Sequence, residues 1–226
     1  MRRVVLLTLV TATVTSVSPA AQLKTPTDWR WRQDAPAPLA PGSKMETGSW
    51  VFVQMPPGWH ITTGPGVLLY PTSHGDASGN FSIEADIFLF PESSAEEYGL
   101  FLGGRDIEGS GTPAYLAFVL RADGQAAILR KSGGQTTAIA DWHPHDAILS
   151  RKEKDTAKNV IRVDVDPVNV TMTVNGAKVL TMPRASLETD GRIGFRVGKD
   201  VNLHISTLNV TRRLAPVPVK KEPAES

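Results

Sequence analysis

Two carboxylates at alternate positions of one segment are the residues best suited to chemistry. Glu84 and Asp86 stand two residues apart in an alternating apolar and polar run, so on a β-strand both would project from one face, about 7 Å apart at the backbone. Retaining glycoside hydrolysis requires two carboxyl groups that flank the bond, one to attack and one to protonate the leaving group. The alternative is a solvated sheet face on which Arg162 or Arg196 pairs with them from a neighbouring strand.

A second candidate site follows two glycines near the end of a predicted strand. Arg105 and Asp106 lie there, and loops at the ends of a rigid sandwich are where binding residues collect. A guanidinium donates hydrogen bonds in a fixed fork and can contact sugar hydroxyls. With Glu84 and Asp86, these two residues make up the predicted ligand-binding set. The alternative is an Arg–Asp surface pair beside a turn.

Metal binding has little support in the sequence. There is no cysteine, which excludes disulfides, thiolate metal sites and thiol catalysis. The segment His143–Asp146 offers two imidazoles and a carboxylate for zinc, but its proline favours a turn and no further ligands are marked out. Loop oxygens of Asp76, Asn80 and Asp106 could bind calcium, although the chain has no dense acidic loop. We therefore predict no cofactor, with calcium as the one metal left open.

The segments that carry these residues are nearly all predicted strands. The run 81–90 places its odd-numbered residues on one face. Asp123-Gly124 and Asn175-Gly176 each separate two apolar runs, which predicts two tight hairpins. Trp29–Arg32 alternates large apolar with charged residues, as a half-buried strand does. Because only Ser93–Glu97 suggests even one helical turn, the pattern predicts an all-β sandwich or barrel.

The first residues predict export. Arg2 and Arg3 precede an apolar stretch at 4–17, and small residues follow it, which is the layout of a secretory signal peptide over residues 1–20. We therefore expect a periplasmic or extracellular protein with no membrane span after cleavage. The alternative is an uncleaved membrane anchor, for which the stretch is short.

The rest of the chain is predicted to form one domain. We place it at residues 27–212, with 35–48 as a Pro/Ala-rich loop within it and 213–226 as a disordered Pro-rich tail. A net charge of +1, without any Lys/Arg cluster longer than a pair, argues against nucleic acid as a partner. The sequence leaves the oligomeric state undetermined.

Three segments together resemble the concanavalin A-like lectin/glucanase superfamily, whose members are jelly-roll sandwiches. They are GNFSIEADIFLFP at 79–91, similar to a strand of laminin G-like domains, the hairpin VTMTVNGAKVLTMP at 170–183, and the closing run GRIGFRVGKDVNLHISTLNV at 191–210. Tyr98–Asp106 is similar to a strand of bacterial 3-keto-disaccharide hydrolase-like domains. The resemblance implies a two-layer antiparallel jelly-roll β-sandwich.

The resemblance also bears on function. Glucanases of this superfamily carry Glu-x-Asp-x-Glu on such a strand, and here the third position is Phe88, so the general acid is missing and we assign no catalytic residue. Trp59 and Trp142 would stack on a sugar ring if exposed and would belong to the core if buried. We predict an exported, non-catalytic binding or interaction module, for carbohydrate or a cell-envelope glycan. A glycosidic-bond hydrolase and a scaffold without a small ligand are the alternatives.

Overall fold

The computed structural model describes residues 24–34, 50–109, 111–152 and 154–213. These residues form fifteen strands and one short 3-10 helix, with no α-helix among them. In chain order the strands are β1 (Trp29–Gln33), β2 (Val51–Gln54), β3 (Trp59–Thr62), β4 (Val67–Pro71), β5 (Asp76–Ala77), β6 (Asn80–Leu89), β7 (Tyr98–Arg105), β8 (Ala114–Leu120), β9 (Gln125–Ser132), β10 (Gln135–Pro144), β11 (Ala157–Val165), β12 (Asn169–Val174), β13 (Ala177–Pro183), β14 (Gly191–Val197) and β15 (Asn202–Arg213). The helix is Arg184–Ser186.

The strands form two antiparallel sheets that pack face to face, as predicted. The eight-stranded sheet has the order β1-β4-β14-β7-β8-β9-β10, with β5 paired to β14, and the seven-stranded sheet has the order β13-β12-β11-β6-β15-β3-β2. The hairpin predicted at Asn175-Gly176 joins β12 to β13, and both turn residues have the positive φ angles, 51° and 82°, that this dipeptide adopts readily. The hairpin at Asp123-Gly124 joins β8 to β9.

The main core lies between the two sheets and follows the predicted alternation. On β6 every odd-numbered residue from Phe81 to Leu89 is at most 1% exposed, because those side chains face the opposite sheet. The even-numbered residues Glu84, Asp86 and Phe88 are only partly buried, so they lie on the outer face of the seven-stranded sheet.

The outer face of the eight-stranded sheet carries a second apolar cluster. Alternating residues of β4, β7, β8 and β9 form it, and Ile107 from the loop after β7 packs on it. Its buried members are Leu68, Tyr70, Phe101, Ile107, Tyr115, Ala117, Val119 and Ala127. A simple sandwich would leave this face in water, but here much of it is covered.

Because this face is covered, the burial of β1 differs from the predicted alternation of buried apolar and exposed charged residues. Trp29 is buried, as predicted, but Trp31 is 36% exposed while Arg32 is only 8% exposed. The Arg32 guanidinium donates hydrogen bonds of 2.5 Å to the carbonyls of both Asp106 and Gly111. The residue faces outward as the strand period requires, and the loop after β7 then closes over it.

The helical turn expected at Ser93–Glu97 is absent from the structure. Instead this segment is tied to the first residue of β15 and to the turn before it, because the Ser93 hydroxyl donates to the Asn202 carbonyl at 2.6 Å and the Glu97 carbonyl accepts from the amide of Gly198 at 2.7 Å. The segment therefore forms hydrogen bonds with backbone groups of another element, and not the hydrogen bonds within the segment that a helix would have.

The predicted termini fall mostly outside the described residues. The signal peptide at 1–20 and the loop at 35–48 lie there, as does all of the tail from 214 on, so the domain limits of 27–212 stay a prediction. None of the described segments is a helix long and apolar enough to cross a membrane.

Candidate functional site

Glu84 and Asp86 lie on an ion-paired sheet face. Glu84 stands opposite Arg162 of β11, 3.4 Å from its Nη1 atom, and Asp86 lies 2.8 Å from Nζ of Lys158. Of the two arginines considered as partners, Arg162 is therefore the correct one. Arg196 belongs to β14 in the other sheet, so that part of the interpretation was wrong.

The predicted ligand-binding set is not brought together. Glu84 and Asp86 are in the seven-stranded sheet, whereas Arg105 ends β7 in the eight-stranded sheet. Arg105 does not pair with its neighbour Asp106 but with Glu188, in the segment between β13 and β14. Asp106 occupies a turn with a φ of 53°. Only Arg105 of the four lies in the pocket described next.

Arg105 lines a concave pocket at one end of the sandwich, with a volume of about 350 Å³. The ends of β7 and β9, the start of β8 and the segment 185–188 form its walls. We call it the Arg105 pocket; its polar members are Arg105, Tyr115, Arg130, Lys131, Ser132, Ser186 and Glu188. The volume lies at the lower end of the range for small-molecule sites.

The polar members of the Arg105 pocket offer donors and acceptors side by side. Arg105 and Glu188 are 54% and 67% exposed, so solvent or a ligand can reach both groups. Arg130 is fixed, because its Nη2 atom donates to the carbonyl of Ser186 at 2.7 Å. Alternating guanidinium, carboxylate and hydroxyl groups suit a ligand that is rich in hydroxyl groups.

A buried ion cluster lies on the other face of the same strands. Asp34, with a side chain only 2% exposed, accepts hydrogen bonds from Nζ of Lys131 at 2.5 Å, from Nε of Arg196 at 2.7 Å and from the Tyr115 hydroxyl at 2.7 Å. Arg196 reaches on to Glu97 at 3.0 Å. Tyr115 and Lys131 stand opposite each other on β8 and β9, within the wall of the Arg105 pocket. The cluster therefore stiffens that wall.

The groups around Asp34 hold its carboxylate ionised. Burial by itself would raise the pKa of Asp34, but the charges of Arg196 and Lys131 and the hydrogen bonds that reach the carboxylate outweigh it and keep this pKa below its ordinary value. Burial raises the pKa of Tyr115 well above its ordinary value, so the phenol stays a hydrogen-bond donor. The Nη1 atom of Arg196 is buried without a partner in the part of the chain that the structure describes.

The sequence analysis missed Asp34, Lys131 and Glu188. A signal for Lys131 was available, because the adjacent charges Arg130 and Lys131 end the strand run 126–131 and must lie on opposite faces of the strand, so the one on a buried face needs a counterion. Asp34 and Glu188 had no such signal, since their partners are 97 and 83 residues away in the sequence.

The histidines proposed for zinc make local contacts instead. Nδ1 of His143 lies 3.2 Å from the carbonyl of Asp141, and Nδ1 of His145 accepts from the amide of Ala147 at 3.1 Å. Within residues 24–34, 50–109, 111–152 and 154–213, no three His, Asp or Glu side chains are placed to hold a metal ion.

The calcium candidates are engaged by arginines. Asp76 lies 3.1 Å from Nη1 of Arg192, and the side-chain oxygen of Asn80 accepts from Arg184 at 3.0 Å. Asp76 and Asp106 do line one shallow depression, but Arg192 lines it as well. A guanidinium in that position supplies the positive charge that a calcium ion would bring, so this donor set does not fit the ion.

The depressed pKa of Asp34 predicts acid sensitivity. Because this pKa is lower in the folded than in the unfolded chain, the carboxylate stabilises the fold above about pH 4, and this stabilisation is lost as the pH falls through the folded value. We expect the free energy of unfolding in urea to decrease between about pH 5 and pH 2, and to decrease less in Asp34→Asn. The variant keeps some slope from Asp164, whose pKa the hydrogen bond from Arg162 also lowers. Equal slopes in the two proteins would contradict this prediction.

Comparisons with known proteins support the fold. No protein-family model and no curated protein matches the sequence. Among solved structures, the carbohydrate binding module CBM66 from Bacillus subtilis superposes with a TM-score of 0.59 at 11% identity, covering 80% of this chain and 94% of that one. A Bacillus subtilis protein of unknown function with a galectin-like fold gives 0.57 at 14% identity, with coverages of 82% and 91%.

A third neighbour is an enzyme. The GH16 protein of a Bacteroides ovatus mixed linkage glucan locus, solved with an oligosaccharide product, gives a TM-score of 0.53 at 12% identity, covering 83% of this chain and 96% of that one. At such identities the likeness concerns the fold alone. The chain is an all-β, two-sheet jelly-roll sandwich of the kind found in concanavalin A-like lectins and glucanases, as predicted.

Proposed function

We propose that this protein is an exported, non-catalytic carbohydrate-binding module that holds its glycan in the Arg105 pocket. The observation that carries the proposal is an open pocket of about 350 Å³ that Arg105, Arg130 and Glu188 line together. The ion pair of Arg105 with Glu188 and the hydrogen bond from Arg130 to the Ser186 carbonyl hold these side chains in place before a ligand binds, which lowers the entropy cost of binding. The name of the carbohydrate binding module among the structural neighbours supports the same class of ligand.

Binding without hydrolysis is favoured by the positions of the carboxylates. Hydrolysis of a glycosidic bond uses two carboxyl groups that flank it. Glu188 is the one carboxylate among the described residues that line the Arg105 pocket. Glu84 and Asp86 lie on the other sheet, paired with Arg162 and Lys158. We therefore expect no release of reducing sugar from any glycan that the protein binds.

Removing the Arg105 guanidinium tests the proposed site. We expect Arg105→Ala to weaken binding at least about tenfold, because one charge-assisted contact is worth about 1.5–3 kcal/mol. Retardation in native gels that contain levan, mixed-linkage β-glucan, xylan, chitosan or polygalacturonate measures it. Since Arg105 is about half exposed, the fold should tolerate the change.

The matched control is Arg213→Ala, which removes an exposed arginine from the seven-stranded sheet. It should leave retardation unchanged. The proposal fails if none of the five polysaccharides retards the protein, or if both arginine variants bind as the parent does. Release of reducing sugar that disappears in Glu84→Gln would favour the hydrolase alternative.

A further inference from the structure

Two histidines stand directly opposite each other on the outer face of the seven-stranded sheet. His60 of β3 is the cross-strand partner of His204 of β15. Their neighbours Ile61, Leu203 and Ile205 are buried in the core, so both imidazoles lie on the other side of the sheet, where each is half-buried. Directly opposite side chains have Cβ atoms about 4.5–5.5 Å apart. The two rings are therefore close enough to share one small ligand.

The hydrogen bond of His204 determines which of its ring nitrogens carries a proton. The Nε2 atom lies 2.8 Å from the carbonyl oxygen of Pro57. Because a carbonyl oxygen only accepts, Nε2 must be the donor, and in the neutral ring Nδ1 then has a free lone pair. Histidines that bind metal ions are held in this way, with the second ring N–H donated to a carbonyl or carboxylate.

His60 has the same tautomer. Its Nε2 atom lies 3.4 Å from the hydroxyl of Thr62, and that hydroxyl donates to the side-chain oxygen of Asn202, also at 3.4 Å. Since a hydroxyl has one proton and Thr62 gives it to Asn202, its oxygen accepts from Nε2–H of His60. The lone pair of this ring is therefore also on Nδ1.

Both Nδ1 atoms are buried and unpaired. Neither has a hydrogen-bond partner among the residues that the structure describes, and an unpaired buried polar atom costs free energy. Burial and the nearby charge of His204 lower the pKa of His60, in keeping with two rings that lie close together. One bound cation would satisfy both lone pairs.

We propose that His60 and His204 bind one divalent transition-metal ion through their Nδ1 atoms. Neutral imidazole suits Zn²⁺, Cu²⁺ and Ni²⁺, whereas Ca²⁺, the metal that the sequence left open, takes oxygen ligands. At Zn–N distances of about 2.0–2.1 Å, two ligands of a tetrahedral ion lie about 3.3 Å apart, which facing side chains of neighbouring strands can reach. The other two positions of the ion are then taken by water.

The next residues in this row of the sheet leave the site open to a cation. The ring of Phe88 meets that of His204 edge to face, with centroids 6.0 Å apart. Beyond it, Nζ of Lys158 lies 5.3 Å from the Phe88 ring centroid and 2.8 Å from the carboxylate of Asp86. Phe88 thus separates the histidine pair from this ammonium group, and Asp86 offsets its charge.

A bound ion would join two strands near the edge of the sheet. The hairpin of β2 and β3 is attached to its sheet through β15 alone, and the ion would link β3 to β15. The site is independent of the proposed glycan site, because the strands of the Arg105 pocket belong to the other sheet. The two proposals therefore succeed or fail separately.

Titration calorimetry of the untagged protein with ZnCl₂ tests the site. We expect one Zn²⁺ per chain, and at least tenfold weaker binding in His60→Gln and in His204→Gln, because each variant has a single nitrogen ligand left. The matched control is His143→Gln, which removes a half-buried histidine from β10 of the other sheet and should bind as the parent does. CaCl₂ should give no binding that these substitutions remove.

Two results of this titration would overturn the inference. One is that His60→Gln and His204→Gln bind Zn²⁺ as tightly as the parent protein. The other is that the parent binds no more Zn²⁺ than the variant with both substitutions, which measures adventitious binding. Thermal melting gives a second comparison, because an ion that binds only the folded chain stabilises it. At a Zn²⁺ concentration of about 100 times Kd, we expect the melting temperature to rise by about 5 °C or more in the parent alone.

Copper binding to the parent protein gives an answer that does not require a variant to fold. With one equivalent of Cu²⁺, the electron paramagnetic resonance spectrum should show coupling to two imidazole nitrogens. Coupling to any other number of nitrogens, or none, would contradict a site made of His60 and His204.

Discussion

Replacing Asp34 by alanine should lower the free energy of unfolding by about 3–5 kcal/mol. The carboxylate is almost completely buried and accepts from Lys131, Arg196 and Tyr115. Without it, Lys131, which is 5% exposed, loses its carboxylate partner and bears the cost of its own desolvation. Arg196, which is 14% exposed, keeps only its pairing with Glu97. Urea denaturation at pH 7 measures the change.

Two further variants test whether the loss of stability is specific to Asp34 or would follow from the loss of any aspartate. Asp146→Ala removes an exposed carboxylate and should change stability by no more than about 0.5 kcal/mol. Asp34→Asn keeps one acceptor oxygen and should fall between the two alanine variants. If Asp34→Ala and Asp146→Ala were equally stable, the cluster would not be a single buried unit.

The strands and hairpins were predictable because their signals are local. The period-two pattern of β6 and the turn dipeptide Asn175-Gly176 each depend on a few adjacent residues, and the structure confirms both. Alternation shows which residues share a face of one strand. It does not show which strands become neighbours, which is why Glu84 was matched to Arg162 correctly and to Arg196 wrongly.

The candidate site was less predictable because it is assembled from distant segments. Arg105 was singled out as a residue at a strand end, and the structure places it in a pocket. Its partner Glu188 belongs to a connection between β13 and β14 that nothing in the local sequence marks. Arg32 shows the same limit, since a charged residue on an outward face was expected in water, and a loop 75 residues later in the chain covers it.

A glycine at the end of β7 connects the fold to the site. Gly103 has a φ of +63°, and a Cβ atom added to it would lie 1.9 Å from the carbonyl oxygen of Glu188. The backbone carrying Glu188 can therefore approach Arg105 only because position 103 has no side chain. Any larger residue must push that segment away from the Arg105 pocket.

We expect Gly103→Ala to lower the free energy of unfolding by about 2–4 kcal/mol, from left-handed backbone strain and from overpacking together. Gly133→Ala is the matched control, because Gly133 has a similar φ of +56° with nothing within 4 Å of the added Cβ, so only the strain of about 1 kcal/mol applies. Urea denaturation gives both free energies of unfolding. In native gels that contain the polysaccharide that retards the parent protein, we expect about tenfold weaker binding for Gly103→Ala and unchanged binding for Gly133→Ala. Equal losses of stability in the two variants would mean that the segment around Glu188 moves away from the added Cβ atom without energetic cost. If a folded Gly103→Ala variant were retarded as strongly as the parent, glycan binding would not depend on the position of Glu188.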